Sequence, residues 1–337
     1  MISIKNLKLG LFNPGSLGSH HDEFIVLMER HDADVVAINE TWLRSGEDGR
    51  APVVAGYRLR HIPRPVEIRS RGGGVGFYIK RGISVRTLMH PISPPVEQMW
   101  IATKINGKTI IIGTAYRPPW GNVTTFFDAL TETIGSLPYH DHLYVLGDFN
   151  INCIDTRDIH RQVLDQFLST HDLRQYVTEP THFTANSESL IDLICSNTLV
   201  NQIRIDHVAE FGGHAFISCE VNIKRYKISP KTILNRPLKD INPEHLNETL
   251  NLMNWESVTD IEEINDMVAV FNSNLLWVFD LLAPSKLICS RENQRPWITY
   301  NIKLLMSRRD AAHVRAKGST SETSISYYKD LKLQARE

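Results

Sequence analysis

The run Leu143-Tyr144-Val145-Leu146-Gly147-Asp148-Phe149-Asn150 is an apolar stretch that ends in a carboxylate and a carboxamide two residues apart. Such a run predicts a buried strand, and residues i and i+2 of a strand share a face. Asp148 and Asn150 can therefore converge on one group of a substrate, the carboxylate as a proton acceptor and the carboxamide as an orienting group. Taken alone, the pair is equally a turn after a strand, because Asp and Asn favour turns.

Further residues belong to the same pattern. Asn13 follows the first predicted strand. Glu40 follows the strand Val35–Asn39, within Asn39-Glu40-Thr41-Trp42. Tyr116-Arg117-Pro118 ends the strand Thr109–Tyr116. Asp192 lies in the apolar Ser189-Leu190-Ile191-Asp192, and His214 precedes the last apolar strand. An Asp in an apolar run needs a partner. All of these lie at or beside strand ends, where a rigid sheet positions loop-borne groups. Hard oxygen donors with one His suit Mg²⁺ at a phosphate, not zinc. Gly72-Gly73-Gly74 is no phosphate-binding P-loop, since no Gly-Lys-Ser/Thr follows, and predicts a flexible turn into a strand. The flanking Arg69, Arg71, Lys80 and Arg81 are candidates for phosphate contact.

These residues need a scaffold. Strands are predicted at Leu7–Phe12, Val35–Asn39, Val75–Ile79, Met99–Ile105, Thr109–Tyr116, Leu143–Asp148, Leu190–Cys195 and Ala215–Val221, each short and rich in Val and Ile. Helices are predicted at His20–Arg30, Thr124–Ile134 and His160–His171, where apolar residues recur at helical spacing. Asn106-Gly107 between two strands signals a hairpin. The pattern predicts an α/β fold, a two-sheet sandwich flanked by helices. Near Lys224–Pro237 strand patterning stops. Asn242–Leu282 reads as mainly helical with Trp255, Phe271 and Trp277 as packing anchors, and a last helix is predicted over Ser324–Arg336. The expected division is residues 1–224 and a helical, basic region 225–337.

Net charge is −1, so the whole chain announces no nucleic-acid partner, but from Lys286 onward eleven Lys and Arg face five Asp and Glu. That tail predicts either a nucleic-acid contact or a solvated helix. Cys153, Cys195, Cys219 and Cys289 form no C-x-x-C pair, which predicts buried thiols rather than zinc or disulfides. No basic segment followed by an apolar run opens the chain, and no apolar stretch approaches the ~20 residues of a membrane span. An intracellular protein without a membrane partner is expected.

The ordered set Asn-Glu-Thr-Trp-Leu at 39–43, Gly-Gly-Gly-Val-Gly at 72–76, Tyr-Arg-Pro-Pro at 116–119, Gly-Asp-Phe-Asn at 147–150 and Ser-Leu-Ile-Asp at 189–192 resembles the endonuclease/exonuclease/phosphatase superfamily. More narrowly it resembles the endonuclease domain of non-LTR retrotransposon polyproteins. Arg295-Pro296-Trp297-Ile298 and the basic helix after it resemble the linker before the reverse transcriptase, which lies outside this sequence. The resemblance implies a Mg²⁺-dependent endonuclease (Mn²⁺ may substitute) that nicks DNA and leaves a 3′-hydroxyl primer. It implies metal binding at Glu40 with Asn13, water activation by Asp148, orientation by Asn150, a phosphate or leaving-group contact from Tyr116, and a polar floor of Asp192 beneath a phosphate-side His214. It implies that Glu179–Ser189 probes a DNA groove, with His182 and Phe183 as contacts; Arg71 and Arg117 are further DNA-binding candidates. Element RNA is an expected partner of the basic tail, and nuclear action follows from a chromosomal substrate.

One position departs from the pattern. The family usually carries Asp directly before the final His, and here Gly213 stands there. The resemblance gives that Asp the task of orienting the imidazole, so its absence predicts a loss of up to roughly 10⁴ in rate by analogy with serine proteases, unless Glu210 substitutes. A catalytically inactive nucleic-acid-binding remnant is therefore the alternative expectation. Abasic-site endonuclease or phosphoinositide phosphatase activity is a third.

Overall fold

The structure, a computed structural model, describes residues 3–69, 71–156, 158–227, 232–289, 298–317 and 321–334. Contacts divide the chain into two compact units, Met1–Ile228 with Gln294–Glu337, and Ser229–Asn293.

The first unit holds two six-stranded mixed sheets. One is built from β1 (Ser3–Phe12), β2 (Val35–Asn39), β3 (Tyr57–Ile62), β4 (Val75–Lys80), β13 (Val200–His207) and β14 (Ala215–Lys227), in the order β13-β14-β1-β2-β4-β3. The other is built from β5 (Arg86–Leu88), β6 (Glu97–Ile105), β7 (Lys108–Tyr116), β8 (His142–Asp148), β9 (Arg174–Gln175) and β12 (Asp192–Ser196), in the order β5-β6-β7-β8-β12-β9. The predicted strands all form. Sequence patterning missed the partly exposed β3 and β5, whose alternation is weak.

Period-two alternation explains how the sheets stack. Leu7, Leu9, Leu11, Val35, Ala37, Phe77 and Ile79 point into one core with Ile110, Ile112, Leu146 and Ile194 of the second sheet. Val36, Ile38, Tyr78 and Phe216 point the other way, onto Phe24, Leu27 and Met28 of α1 (His21–His31). On the second sheet α2 (Val123–Ser136) and α3 (Ile159–Thr170) pack through Phe126, Phe127, Leu130, Leu164 and Phe167. Each parallel pair, β1 with β2 and β7 with β8, is linked through a helix, α1 or α2. Asn106 and Gly107 both have positive φ (51° and 80°), as a two-residue hairpin turn requires. Cys153, Cys195 and Cys219 are buried free thiols.

The short β10 (His182–Phe183) and β11 (Glu188–Ser189) make a separate hairpin. The C-terminal helices α7 (Tyr300–Lys317) and α8 (Glu322–Gln334) fall in the first unit, away from the rest of the region expected as 225–337. Arg309 of α7 is fully buried and pairs with Glu23 at 3.6 Å and Glu210 at 3.7 Å. A basic residue used inside the fold leaves no periodic trace in the sequence.

The second unit contains α4 (Pro243–Asn251), α5 (Glu256–Thr259), α6 (Ile264–Leu282) and the antiparallel pair β15 (Thr232–Asn235) and β16 (Lys286–Cys289). Trp255 packs on Phe271, with ring centroids 5.7 Å apart, whereas the expected anchor Trp277 is more than half exposed. Arg295, Pro296 and Trp297 lie outside the described residues. Among the described residues no helix is long and apolar enough to cross a membrane.

Candidate active site

Strand register builds the floor of the site. Asp148 at the end of β8 pairs with Tyr116 of β7 on one side and Asp192 of β12 on the other. Three polar side chains thus stand in one row across three strands. Asn39 at the end of β2 ties this row to the other sheet. Its Oδ1 accepts from the Asp148 backbone N–H at 2.7 Å and its Nδ2 donates to Thr114 Oγ1 at 3.0 Å, all fully buried.

Asn13 and Glu40 enter from the loops after β1 and β2. Asn13 Nδ2 donates to Glu40 Oε1 at 3.1 Å and to Asp148 Oδ2 at 2.9 Å, and its Oδ1 accepts from Gly15 N–H at 2.9 Å. That oxygen keeps a second lone pair, and through its Nδ2 Asn13 also holds the two carboxylates in place. Glu40 has φ of 55° and Trp42 φ of 53°, left-handed values that are uncommon for side chains of this size. The loop is held there by Gly72–Gly74, all at positive φ: Thr41 N–H donates to Gly74 O and Trp42 N–H to Gly73 O. A Cβ at Gly73 would collide with Glu97 and Arg64, and one at Gly74 with Thr41 Oγ1. The glycines expected as a flexible turn are thus a fixed seat for the Glu40 loop. Buried Glu97 completes it, accepting from Gly74 N–H at 2.5 Å and Arg64 Nε at 2.6 Å. The Trp42 indole N–H donates to Glu40 Oε2 at 3.0 Å.

Asn150, at φ 51°, donates its backbone N–H to Asp148 Oδ1 at 3.0 Å and its Nδ2 to Arg117 O at 2.8 Å. Arg117 itself is buried. Its guanidinium donates to the carbonyls of Phe149, Gly121 and Asn150 at 2.6–2.7 Å. It is a brace between the loops after β7 and β8, and its burial corrects its expected place on a DNA-binding surface.

His214 meets the row from the first sheet. Its Nδ1 lies 3.0 Å and 3.3 Å from the two oxygens of Asp192, and its Nε2 lies 3.9 Å from Asp148 Oδ2. Asp192 is the acid that orients the imidazole, so the expectation that Gly213 leaves His214 without one is overturned. Gly213 has φ of 96°, and a Cβ there would run into the Phe183 carbonyl. Glu210, the expected substitute, faces Arg309 and Lys332 instead. Thr181, unremarked in the sequence, accepts the Ile191 and Asp192 backbone N–H groups on its Oγ1 and so fixes Asp192.

The hairpin lies beside this histidine. His182 forms an isolated bridge with His214, with ring centroids 4.5 Å apart. Phe183 packs edge-on against His207, and its carbonyl accepts from Lys317 Nζ at 2.6 Å. Arg71 is exposed, with its guanidinium 5.7 Å from the Trp42 ring centroid.

The electrostatics separate the groups. Burial, then the Asp192 charge, pushes Asp148 up to about 7. Burial alone would lower His214, but the charge and hydrogen bond of Asp192, then the charge of Asp148, hold it up at about 9. Burial, then the charges of Glu40 and Asp148, drives the Tyr116 phenol far above its usual value. Asp148, Asp192 and His214 present ligand atoms within 4.8 Å of one another, close enough to hold a cation. A protonated, Asp-bound imidazole is a poor ligand, however, and Glu40 with Asp148 is the better donor set for a hard cation.

A search of curated proteins finds no match to this chain. Among solved structures, the endonuclease domain of TRAS1, a telomere-specific non-LTR retrotransposon, matches with a TM-score of 0.50 at 13% identity, over 64% of this chain and 98% of that one. The 3′ phosphatase NExo from Neisseria, bound to a product DNA hairpin, matches with a TM-score of 0.50 at 20% identity, over 64% and 99%. An AP endonuclease from Archaeoglobus fulgidus matches with a TM-score of 0.50 at 13% identity, over 64% and 100%. At these identities the likeness is one of fold. A family model, Endonuclease/Exonuclease/phosphatase family, matches residues 8–229, the stretch that carries every residue from Asn13 to His214 in the site. The two-sheet sandwich, its row of Tyr116, Asp148 and Asp192, and this match together show that the chain belongs to the endonuclease/exonuclease/phosphatase family.

Proposed function

We propose that the chain is a Mg²⁺-dependent DNA endonuclease that nicks one strand and leaves a free 3′-hydroxyl, as the endonuclease part of a non-LTR retrotransposon polyprotein. The observation that carries this reading is the convergence of Glu40, Asp148 and an Asp192-bound His214, joined through Asn13 and the 3.9 Å approach of His214 to Asp148.

Glu40 fits a hard cation: its carboxylate is held in place by Asn13 and Trp42 and still has lone-pair capacity to offer a metal. Mg²⁺, with Mn²⁺ as a substitute, supplies neutralisation of the phosphate and of the leaving oxygen when bound. Asp148, once ionised, takes a proton from the attacking water, and Asn150 orients that water from its pinned position. Water oxygen bonds to phosphorus as the bond from phosphorus to the 3′-oxygen breaks, and the 3′-oxygen takes up a proton from solvent to become the hydroxyl. His214, charged at neutral pH, donates to a phosphate oxygen as negative charge builds there. The Tyr116 phenol stays protonated and serves as a neutral donor near the phosphate.

Chromosomal DNA as substrate places the action in the nucleus. A reverse transcriptase in the full polyprotein, and element RNA at the basic C-terminal region, are the further partners of this reading. Supercoiled plasmid incubated with protein and Mg²⁺ tests it: the nicked form accumulates, chelation stops it, and a polymerase extends the ends. If the intact protein nicks no better than Asp148→Ala, the reading fails. Preference for abasic DNA, or release of inositol phosphate, would move the assignment within the family.

A further inference from the structure

We propose that the surface beside Glu40 and Tyr116 binds unpaired bases of a DNA strand, stacked on Trp42 and Trp120. The inference rests on the reading above in that the substrate is DNA, and it names the form of DNA preferred. Trp42 and Trp120 are 40% and 56% exposed, large indoles that folding leaves in water next to the site. Arg64 links them. A Cβ on Gly72 would touch both Arg64 Nη1 and the Trp42 ring, and the Arg64 guanidinium lies 5.9 Å from the ring centroids of both Trp120 and Tyr116. Arg71 and Arg69 add exposed cations at 5.7 Å from Trp42 and 6.0 Å from Trp120. The patch therefore runs from the catalytic row outward as half-exposed aromatic rings with guanidinium groups lying over them.

Both indoles are held on rigid mounts. Trp42 keeps its left-handed backbone through Gly73 O and its indole N–H through Glu40 Oε2. A bulky residue held in that conformation and left at the surface marks a functional constraint. Trp120 stands in a turn made by Pro118, Pro119 and Gly121, closed by Gly121 N–H to Pro118 O at 2.8 Å and braced by Arg117 on Gly121 O. Pre-set aromatic planes bordered by cations are how proteins bind single strands, with stacking for bases and Arg for phosphates. In a continuous duplex the base faces cover one another, so indole planes of this kind gain stacking only where pairing is interrupted.

Anisotropy of end-labelled DNA in EDTA, where nothing is cut, tests the proposal. One probe is fully paired, and the other is the same duplex with a short unpaired thymidine loop. Intact protein binds the looped probe about tenfold more tightly. Trp42→Ala and Trp120→Ala each remove most of that preference, Trp42→Phe keeps it because a ring remains, and Arg71→Ala weakens both probes alike. Thermal melting confirms that each variant is folded. Equal binding of the two probes by the intact protein overturns the proposal, as does a preference that survives Trp120→Ala and Trp42→Ala. Intact protein that nicks plasmid in Mg²⁺ yet binds both probes equally refutes stacking alone. Intact protein that prefers the loop yet nicks nothing refutes the nuclease reading alone.

Discussion

The carboxylate of Asp192 holds the imidazole of His214 by its Nδ1, 3.0 Å away, from the strand that neighbours Asp148. Asp192→Asn keeps the shape and removes the charge. An Asn can donate to Nδ1 and favour the wrong tautomer, so nicking falls about 10³–10⁴-fold, by analogy with the equivalent change in a catalytic triad. Single-turnover rates on plasmid, compared with a melting curve close to that of the parent, check this.

For the proposed activity, a bell-shaped pH profile of nicking is the expected outcome. Asp148 must be ionised, so the rate rises as pH climbs through about 7. His214 must be protonated, so the rate falls as pH climbs through about 9. These limbs belong to the interacting pair. In Asp192→Asn the largest support for the charged imidazole is gone, and the alkaline limb moves to lower pH. An alkaline limb that stays in place would show that another acid holds the ring.

Gly213→Asp introduces the residue that the resemblance implies before His214, and the expected outcome is no rise in activity. Its Cβ meets the Phe183 carbonyl at a backbone φ of 96°, a conformation that costs a non-glycine residue roughly 1–3 kcal/mol. A melting temperature lower by several degrees, with nicking no faster, is the expected result.

Asn39→Ala removes the stitch between the sheets. The buried Asp148 N–H loses its acceptor, which costs about 1–3 kcal/mol. Urea unfolding reads the loss. Activity falls further than stability does, because Asp148 is no longer held in the row.

Arg117→Lys lowers stability by about 2–4 kcal/mol, since a single ammonium cannot serve carbonyls on two loops. It leaves the salt dependence of DNA binding unchanged. Arg71→Ala does the reverse, keeping stability and reducing the salt slope by about one. Titrations at several salt concentrations separate the two.

The strands, and the residues at their ends, were legible because each is a short run rich in Val and Ile, buried nearly throughout, that meets a polar residue at its end. What was hidden is lateral. Nothing in the local pattern says that β12 lies beside β8, and so that Asp192 reaches a histidine 22 residues further along. The same blindness turned Gly72–Gly74 into a flexible turn and Arg117 into a surface cation, when one is a seat and the other a brace. Asn39, Thr181 and Glu97 are small or buried polar groups whose importance lies in what they meet across the fold. Asn39 carries the same signal as Asp192, a polar residue against an apolar run, whereas Thr181 and Glu97 carry none in the sequence.

The pairing of β1 with β14, Leu7 opposite Val221, has a consequence in time. The first strand to leave the ribosome waits with an open edge for the last strand of the domain. Glu40 and Asp148 are synthesised long before His214 and the strand that seats it. An unfinished chain therefore carries Glu40 and Asp148 without the closed sandwich that aligns them with His214. Synthesis order thus leaves the row of side chains incomplete until the final strand docks beside the first.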